Sequence, residues 1–539
     1  MKRSLFLVAS GLAIAAAPAH AQERGESRKT VRVDPYIEAS QIFAAELSPG
    51  NDTVTYTQVA AGVDASVQGR NTGGSASIRY ERSFGYDDTV SDAATLSGLA
   101  RGYASVVPQV LTVEAGALAS RTRVDGNGSA STGLVRGRDN ESRVYSAYAG
   151  PTVHASAGDA EVNANYRIGY TRAEAPDAIV TAPGAAPVDI FDDSVVQSAG
   201  VQVALKPGAP LPVGVGVGGG FYQEDVSNLD QRVRDLHARA DVTVPIGPNL
   251  AAVGGVGYEK VQVSARDAVR DATGAPVIGS DGRLQTDKSS PRQLAYDVSG
   301  IIWDVGVVWR PSSRTALEAH VGRRYDSTTY YGSFAWAPNS RSSLNVSVYD
   351  GIQGFGGQLN NALANLPTDF TAIRNPVTGQ IDGCVVSSDG GSCLGGAFGS
   401  IRSAVFRSRG VAASYAAQVG RLSSGIGIGY NRRAFIAAPG TALAAANGVV
   451  DQNYWVSAFV SGQFSQRDSW SVNANAQRFL SGFAGSGDAT VLGASAAYRR
   501  YLIEGLSANA AISLDSLNSD VAGQDLTTAA GLLGLRYDF

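Results

Sequence analysis

The chain has 539 residues, with 44 Lys+Arg against 48 Asp+Glu, a formal net charge of -4, 64 Gly and two Cys. Charged residues make up 17%, under the roughly 25% of soluble domains. Mean hydropathy is -0.05, and no run of about 18 apolar residues follows residue 21, which excludes a bundle of membrane helices. The absence of a basic surplus excludes nucleic acid as a partner, and 44% hydrophobic residues interleaved with polar ones exclude a disordered chain.

In chain order, Lys2 and Arg3, the apolar stretch Leu5 to Ala17 and Ala19-His20-Ala21 read as a cleaved signal peptide, residues 1–21. Residues 22–30 read as a short charged periplasmic tail, and 31–539 as one domain. That domain is organised by alternation. Val162, Ala164, Tyr166, Ile168 and Tyr170 oppose Asn163, Asn165, Arg167, Gly169 and Thr171. Leu236, Ala238, Ala240 and Val242 oppose His237, Arg239 and Asp241; Leu317, Ala319 and Val321 oppose Glu318, His320 and Gly322. Leu506, Ala508, Ala510, Ile512 and Leu514 oppose Ser507, Asn509, Ala511, Ser513 and Asp515. Such a period of two marks strands with one oily and one polar face.

Connection lengths decide between a soluble sandwich and a membrane barrel. Tight polar turns are expected near residues 69–71, 108–109, 157–159, 206–208, 247–249, 310–313, 338–341, 421–423, 466–468 and 504–505. Longer segments fall between them, at 125–140, 174–192, 265–291, 358–404 and 437–450. That asymmetry is expected of an outer-membrane barrel, with short periplasmic turns and longer extracellular loops. Ten tight turns imply eleven hairpins, so the predicted fold is an all-β transmembrane antiparallel β-barrel of about 22 strands. The implied location is the outer membrane of a Gram-negative bacterium, among lipid and lipopolysaccharide. Gly425, Gly427 and Gly429, opposite Ile426, Ile428 and Tyr430, predict a stretch of inner wall with little bulk.

The last residues, Gly531 to Phe539, put Leu533, Leu535, Tyr537 and Phe539 on one face. Gly534, Tyr537 and Phe539 resemble the terminal signal polar-x-Gly-x-x-aromatic-x-aromatic by which the barrel-assembly machinery recognises its clients. Leu532 stands where that signal usually has a polar residue.

Cys384 and Cys393, inside the longest loop, predict a local disulfide in an oxidising compartment. The same loop carries a predicted short helix over 358–366, and it either folds into the lumen or caps the mouth. Of the 44 basic residues only five are Lys, so arginine dominates. Arg167, His237, Arg239, Glu318, His320 and Arg324 have inward parity and are the candidate lumen-lining polar residues, whereas Arg82, Arg121 and Arg123 have outward parity near strand ends.

His154, His237 and His320 sit in no nucleophile or metal motif, and the Gly-x-Gly run at 214–220 lacks a following helix and Lys-Ser/Thr. The chain is therefore read as a non-enzyme with no catalytic residue, metal site or cofactor.

Val33-Asp34-Pro35-Tyr36-Ile37-Glu38-Ala39-Ser40, followed by Val59 to Val63 and Ala76 to Arg82, resembles the outer-membrane barrel family associated with exopolysaccharide export systems of the PEP-CTERM type. Some chains of that kind are labelled preprotein translocase accessory subunit, a small protein with one membrane helix that nothing here matches. The resemblance implies passage or surface assembly of polysaccharide, with polysaccharide and periplasmic export proteins as partners. Two alternatives are a general porin for small hydrophilic solutes and a structural or adhesive surface barrel. A TonB-dependent receptor is disfavoured, because its plug domain has no room before Val33.

Overall fold

A computed structural model describes residues 30–86, 93–123, 141–174, 190–208, 211–387, 392–394, 397–398, 401–484 and 486–539. The strands form one 22-stranded antiparallel sheet, each strand paired with the next along the chain. The sheet closes on itself: the first strand, Thr30–Ser48, pairs with the last, Leu526–Asp538, in a register running from Tyr36↔Asp538 to Ser48↔Thr527. Closure leaves no strand with an unpaired edge, which is what a sheet needs where lipid offers no hydrogen bonds. The strand number agrees with the expectation from turn counting, and the first strand begins at Thr30, one residue inside the expected tail.

Every expected tight turn joins two barrel strands, from the one between Gln68 and Thr72 to the one between Ile503 and Leu506. Gly158 and Gly505 take positive φ of 64° and 73° in two of these turns, a conformation that side chains disfavour. The opposite rim carries the long connections, although three there are short: residues 49–52 join the first two strands, Asn228–Asp230 forms one turn of 3₁₀ helix, and Tyr325-Asp326 alone turns the chain, both of these last residues at positive φ.

Alternation sorts the side chains as expected. Ile512, Leu514, Leu533 and Leu535 are exposed on the outer face, while Ser507, Ser513 and Thr528 are buried on the inner one. Exposed aromatic residues gather toward both ends of the wall: Trp309, Trp336, Tyr498 and Tyr537 near the tight turns, and Tyr80, Phe84, Tyr330 and Tyr454 near the long loops. An apolar band between two aromatic girdles is the outer surface of a barrel that sits in a bilayer.

The interior is occupied. Between the consecutive barrel strands Ser342–Gln353 and Phe406–Val419 the chain leaves the wall. It forms the helix α1, Phe355–Ala364, and a small antiparallel sheet of Thr371–Arg374, Ile381–Val386 and Ser392–Cys393. The expected helix thus starts three residues early, at Phe355. The register of that small sheet sets Cys384 opposite Cys393; the side chains of the two lie outside the described residues.

The two faces predict opposite sensitivities. Ile512→Arg, in the oily band, should destabilise the barrel by about 2–4 kcal/mol near the bilayer midplane, whereas Ser471→Asn, on the inner face, should cost less than about 1 kcal/mol. Guanidinium unfolding from lipid vesicles, followed by tryptophan fluorescence, measures both; equal costs would show that the faces are misassigned.

Candidate functional site

The described residues between Gly354 and Val405 lie against the inner face and make the lumen the candidate site. The segment enters at the long-loop rim and descends, so that Asp369 accepts a hydrogen bond from Gln68 Nε2 at 2.9 Å beside the first tight turn. It climbs back to the rim, where the Phe191 amide donates to the Ile401 carbonyl at 2.9 Å and the Val405 amide to Gln231 Oε1 at 3.2 Å.

The wall is built to receive α1. Glycines 354, 356 and 357 open the helix, and an added Cβ on Gly356 would stand 1.9 Å from Ser194 Oγ, one on Gly357 2.0 Å from the Tyr222 hydroxyl. The helix therefore touches the wall with bare backbone. Its first amides meet a carboxylate there: Gly354 N and Gly357 N donate to Glu224 at 2.6 and 2.9 Å, and the Tyr222 hydroxyl donates to the same group at 2.7 Å. A carboxylate at a helix N-terminus satisfies orphan amides and complements the helix dipole. Further along, Asn360 Nδ2 donates to Thr171 Oγ1 at 2.8 Å.

The apolar side of α1, Phe355, Leu359 and Leu363, packs on Leu99, Leu118, Val144 and Phe191. Phe191 meets Phe355 edge-on with ring centroids 5.1 Å apart. Leu99, Leu118 and Val144 hold inward positions, where the alternation calls for polar groups. Apolar residues of the wrong parity on neighbouring strands are the sequence signal that marks this seat.

The tip of the inner hairpin lies near the seam. Val377 is fully buried in one cluster with Ile42, Tyr56, Ala530 and Leu532. This accounts for Leu532, the apolar departure from the terminal signal: it points inward under the hairpin. The signal face itself, Leu533, Leu535, Tyr537 and Phe539, is exposed, and Gly534 lies against the first strand, where a Cβ would meet Ser40 Oγ at 2.3 Å.

A chain of buried charges supports the hairpin. Arg79 pairs with Glu38 at 3.0 Å and Glu81 at 3.1 Å, and Arg121 pairs with Glu81 at 2.7 Å while donating to the Thr378 carbonyl at 2.8 Å. Isolated, each of these charges would be costly to bury; paired and hydrogen-bonded, the cost is offset. The expectation for Arg121 is corrected: it is buried and inward, not outward. The ladder with Ala93–Val107 ends at Gly98↔Ala119, so past that point the strand is paired on one side only, and Arg121 turns in toward Glu81. Arg82 does face outward, 5.1 Å over the Phe84 ring; the Arg123 side chain lies outside the described residues.

All six candidate lumen residues take part in inner-face pairs. Arg167 pairs with Glu114 at 3.1 Å. Arg239 forms a two-pronged pair with Asp304 at 2.8 and 2.9 Å, and His320 Nδ1 meets the same carboxylate at 2.9 Å. His320 Nε2 stands 3.2 Å from Glu318, so both ring nitrogens face carboxylates and neither addresses a nucleophile. Arg324 joins Asp235 at 2.7 Å, Glu259 at 3.1 Å and His237 Nδ1 at 3.0 Å. They form two groups, Arg239 with His320 and Glu318, and Arg324 with His237, while Arg167 stands apart. Among the described residues no group of three or more His, Cys, Asp or Glu is placed to hold a metal ion.

The expectation of a wall without bulk at Gly425 and Gly429 is also corrected. A Cβ on Gly425 would stand 2.3 Å from the Phe459 ring, and one on Gly429 2.6 Å from the Trp455 ring. The glycines make room for aromatic side chains of the next strand. Beside these rings the inner face carries Asn431, Asn453 and Asn473.

A cleft of about 600 Å³ remains between the hairpin and the seam. Its walls include Tyr36, Glu38, Arg374, Arg499, Asn509 and Arg536. The Arg536 guanidinium lies 3.5 Å over the Tyr36 ring and pairs with Asp538 at 2.7 Å.

A closed 22-stranded sheet with an oily band, two girdles and a polar, partly filled interior defines an outer-membrane β-barrel of a Gram-negative bacterium. No protein-family model and no curated protein sequence matches the chain. Solved structures similar to it include the FrpB iron transporter from Neisseria meningitidis (F3-3 variant), at 10% identity over 94% of this chain and 82% of that one, TM-score 0.42. The ferric-catecholate import receptor Fiu from E. coli K12, closed form, gives 9% identity, the same coverages and TM-score 0.44. The siderophore receptor PiuA from Acinetobacter baumannii gives 7%, 94%, 82% and 0.40. Likeness at this level carries no weight for fold or function, and the barrel stands on its own strand pairing.

The seat of α1 makes a testable demand. Gly356→Ala should press on Ser194 and loosen the helix, at about 1–3 kcal/mol, seen as faster protease cleavage within 354–405 while the barrel stays intact. Adding Ser194→Ala should restore most of the protection; no restoration would mean that the helix is not held at this contact.

Proposed function

We propose that this barrel passes a hydrophilic polymer across the outer membrane, exopolysaccharide in the reading that the sequence resemblance suggests, and that the segment 354–405 is its gate. The observation that carries the reading is the inward segment itself. It runs through the lumen from rim to tight-turn end, yet much of its polar attachment to the wall is through side-chain hydrogen bonds, to Glu224, Thr171, Ser75 and Gln68, and not through strand pairing. A segment held this way can leave its seat without opening the barrel.

The rest of the inner wall supports a sugar cargo. Asn431, Asn453 and Asn473 stand beside Trp455 and Phe459. Amides suit the hydroxyl edges of a sugar ring and flat aromatic surfaces suit its apolar face, the mixture of apolar lining and few polar groups found at small-molecule sites. The paired charges of the Arg239 and Arg324 groups present little free charge to hold such a chain back.

The test joins genetics and electrophysiology. Removal of the gene should abolish or sharply reduce secreted polymer, and deletion of residues 355–400 should raise single-channel conductance several-fold in planar bilayers. Normal polymer secretion without the gene, together with conductance for small ions in the intact protein, would favour the porin reading. A conductance unchanged by the deletion would contradict the gate.

A further inference from the structure

Six arginines of the lumen keep to one pattern and two others do not. Arg79, Arg101, Arg121, Arg167, Arg239 and Arg324 each pair with a carboxylate. In the cleft beside the seam, Arg374 donates to Ser77 Oγ at 3.2 Å, Ser97 Oγ at 2.8 Å and the carbonyls of Ser77 and Gly379 at 2.9 Å each. All are neutral oxygens. Arg499, on the wall strand Ala489–Ile503, donates to Asn509 Oδ1 at 3.0 Å, again neutral. Among the described residues neither has a carboxylate within ion-pairing distance, and both line the same cleft of about 600 Å³.

A guanidinium partly removed from water is stabilised most by an anion that accepts two parallel hydrogen bonds. Elsewhere in the lumen the protein supplies that anion from its own wall. Here the lining carboxylates Asp34, Glu38, Asp64 and Asp538 are taken up by Arg32, Arg79 and Arg536, which leaves Arg374 and Arg499 beside open space. We propose that the cleft is an anion-binding subsite for the transported polymer, Arg374 and Arg499 receiving a carboxylate, as in a uronic acid sugar, or a phosphate substituent. The proposal rests on the passage function above and narrows it to acidic glycans.

The position of Arg374 adds a consequence. It lies on the gate, in the strand Thr371–Arg374, and its donors tie the hairpin to Ser77 and Ser97 of the wall. An anion that drew the Arg374 guanidinium into the cleft would compete with those ties. Arg499 belongs to the wall, so binding at both arginines would bridge gate and barrel. Arrival of acidic polymer at the tight-turn end would thereby be felt by the segment that blocks its path.

The test uses the full-length protein in detergent micelles, titrated with a hexamer of uronic acid sugars, a neutral glucose hexamer and inorganic phosphate. The uronate hexamer should bind, the neutral hexamer should not, and rising salt should weaken the uronate. Arg499→Gln, which leaves the gate untouched, should weaken uronate binding about tenfold or more, and Arg374→Gln likewise, with Arg499→Lys intermediate. If phosphate competes at the same arginines with equal affinity, the anion site stands and its natural occupant is a phosphate-bearing chain. Equal binding of both hexamers, no binding of either anion, or an affinity indifferent to Arg499→Gln would overturn the site. None of these results bears on conductance after deletion of 355–400, so the gate and the subsite fail separately.

Discussion

The pairing of Tyr36 to Ser48 with Thr527 to Asp538 is the constraint on which the rest depends. A backbone amide left unpaired in hydrocarbon costs several kcal/mol, so a sheet of this size persists in a bilayer only as a ring. Once the ring closes, every strand has one face toward lipid and one toward the lumen. Composition then follows: Ala and Gly are tolerated because neighbouring strands pack closely, and charged residues are concentrated on the inner parity.

Inside the ring the problem changes from satisfying backbone to satisfying charge. The Glu38, Arg79, Glu81 and Arg121 chain, and the Asp304 group with Arg239, His320 and Tyr331, solve it by pairing across strands. These networks stiffen the wall and leave little net charge facing the lumen. The inward segment uses the same currency at its tip and a different one at its helix, where Phe355, Leu359 and Leu363 find an apolar seat. A tip held by wall charges and an oily seat for the helix give the segment one defined resting place.

Much of this was legible in the sequence because its signals are local. Alternation within one strand fixed the inner parity of Arg167, His237, Arg239, Glu318, His320 and Arg324, and turn residues fixed the hairpins and so the strand number. What was not legible depends on contacts between distant residues. Glu224 meets Gly354 across 130 positions, and Leu532 is apolar because of Val377. Arg121 reverses its parity just past the point where the ladder with Ala93–Val107 ends, which no periodicity in its own strand records. The glycines opposite Trp455 and Phe459 looked like an absence of bulk, since the rings that fill the space belong to the next strand.

Closure of the ring can be measured directly at the seam. Ala44 and Ala530 face each other across it, both small and both inward. In outer-membrane vesicles, mild oxidation of Ala44→Cys/Ala530→Cys should give an intramolecular disulfide, identified by mass spectrometry of linked peptides in monomeric protein, while either single variant keeps a free thiol. Cross-links found only between separate chains, or none where both thiols remain reactive, would contradict the closed barrel.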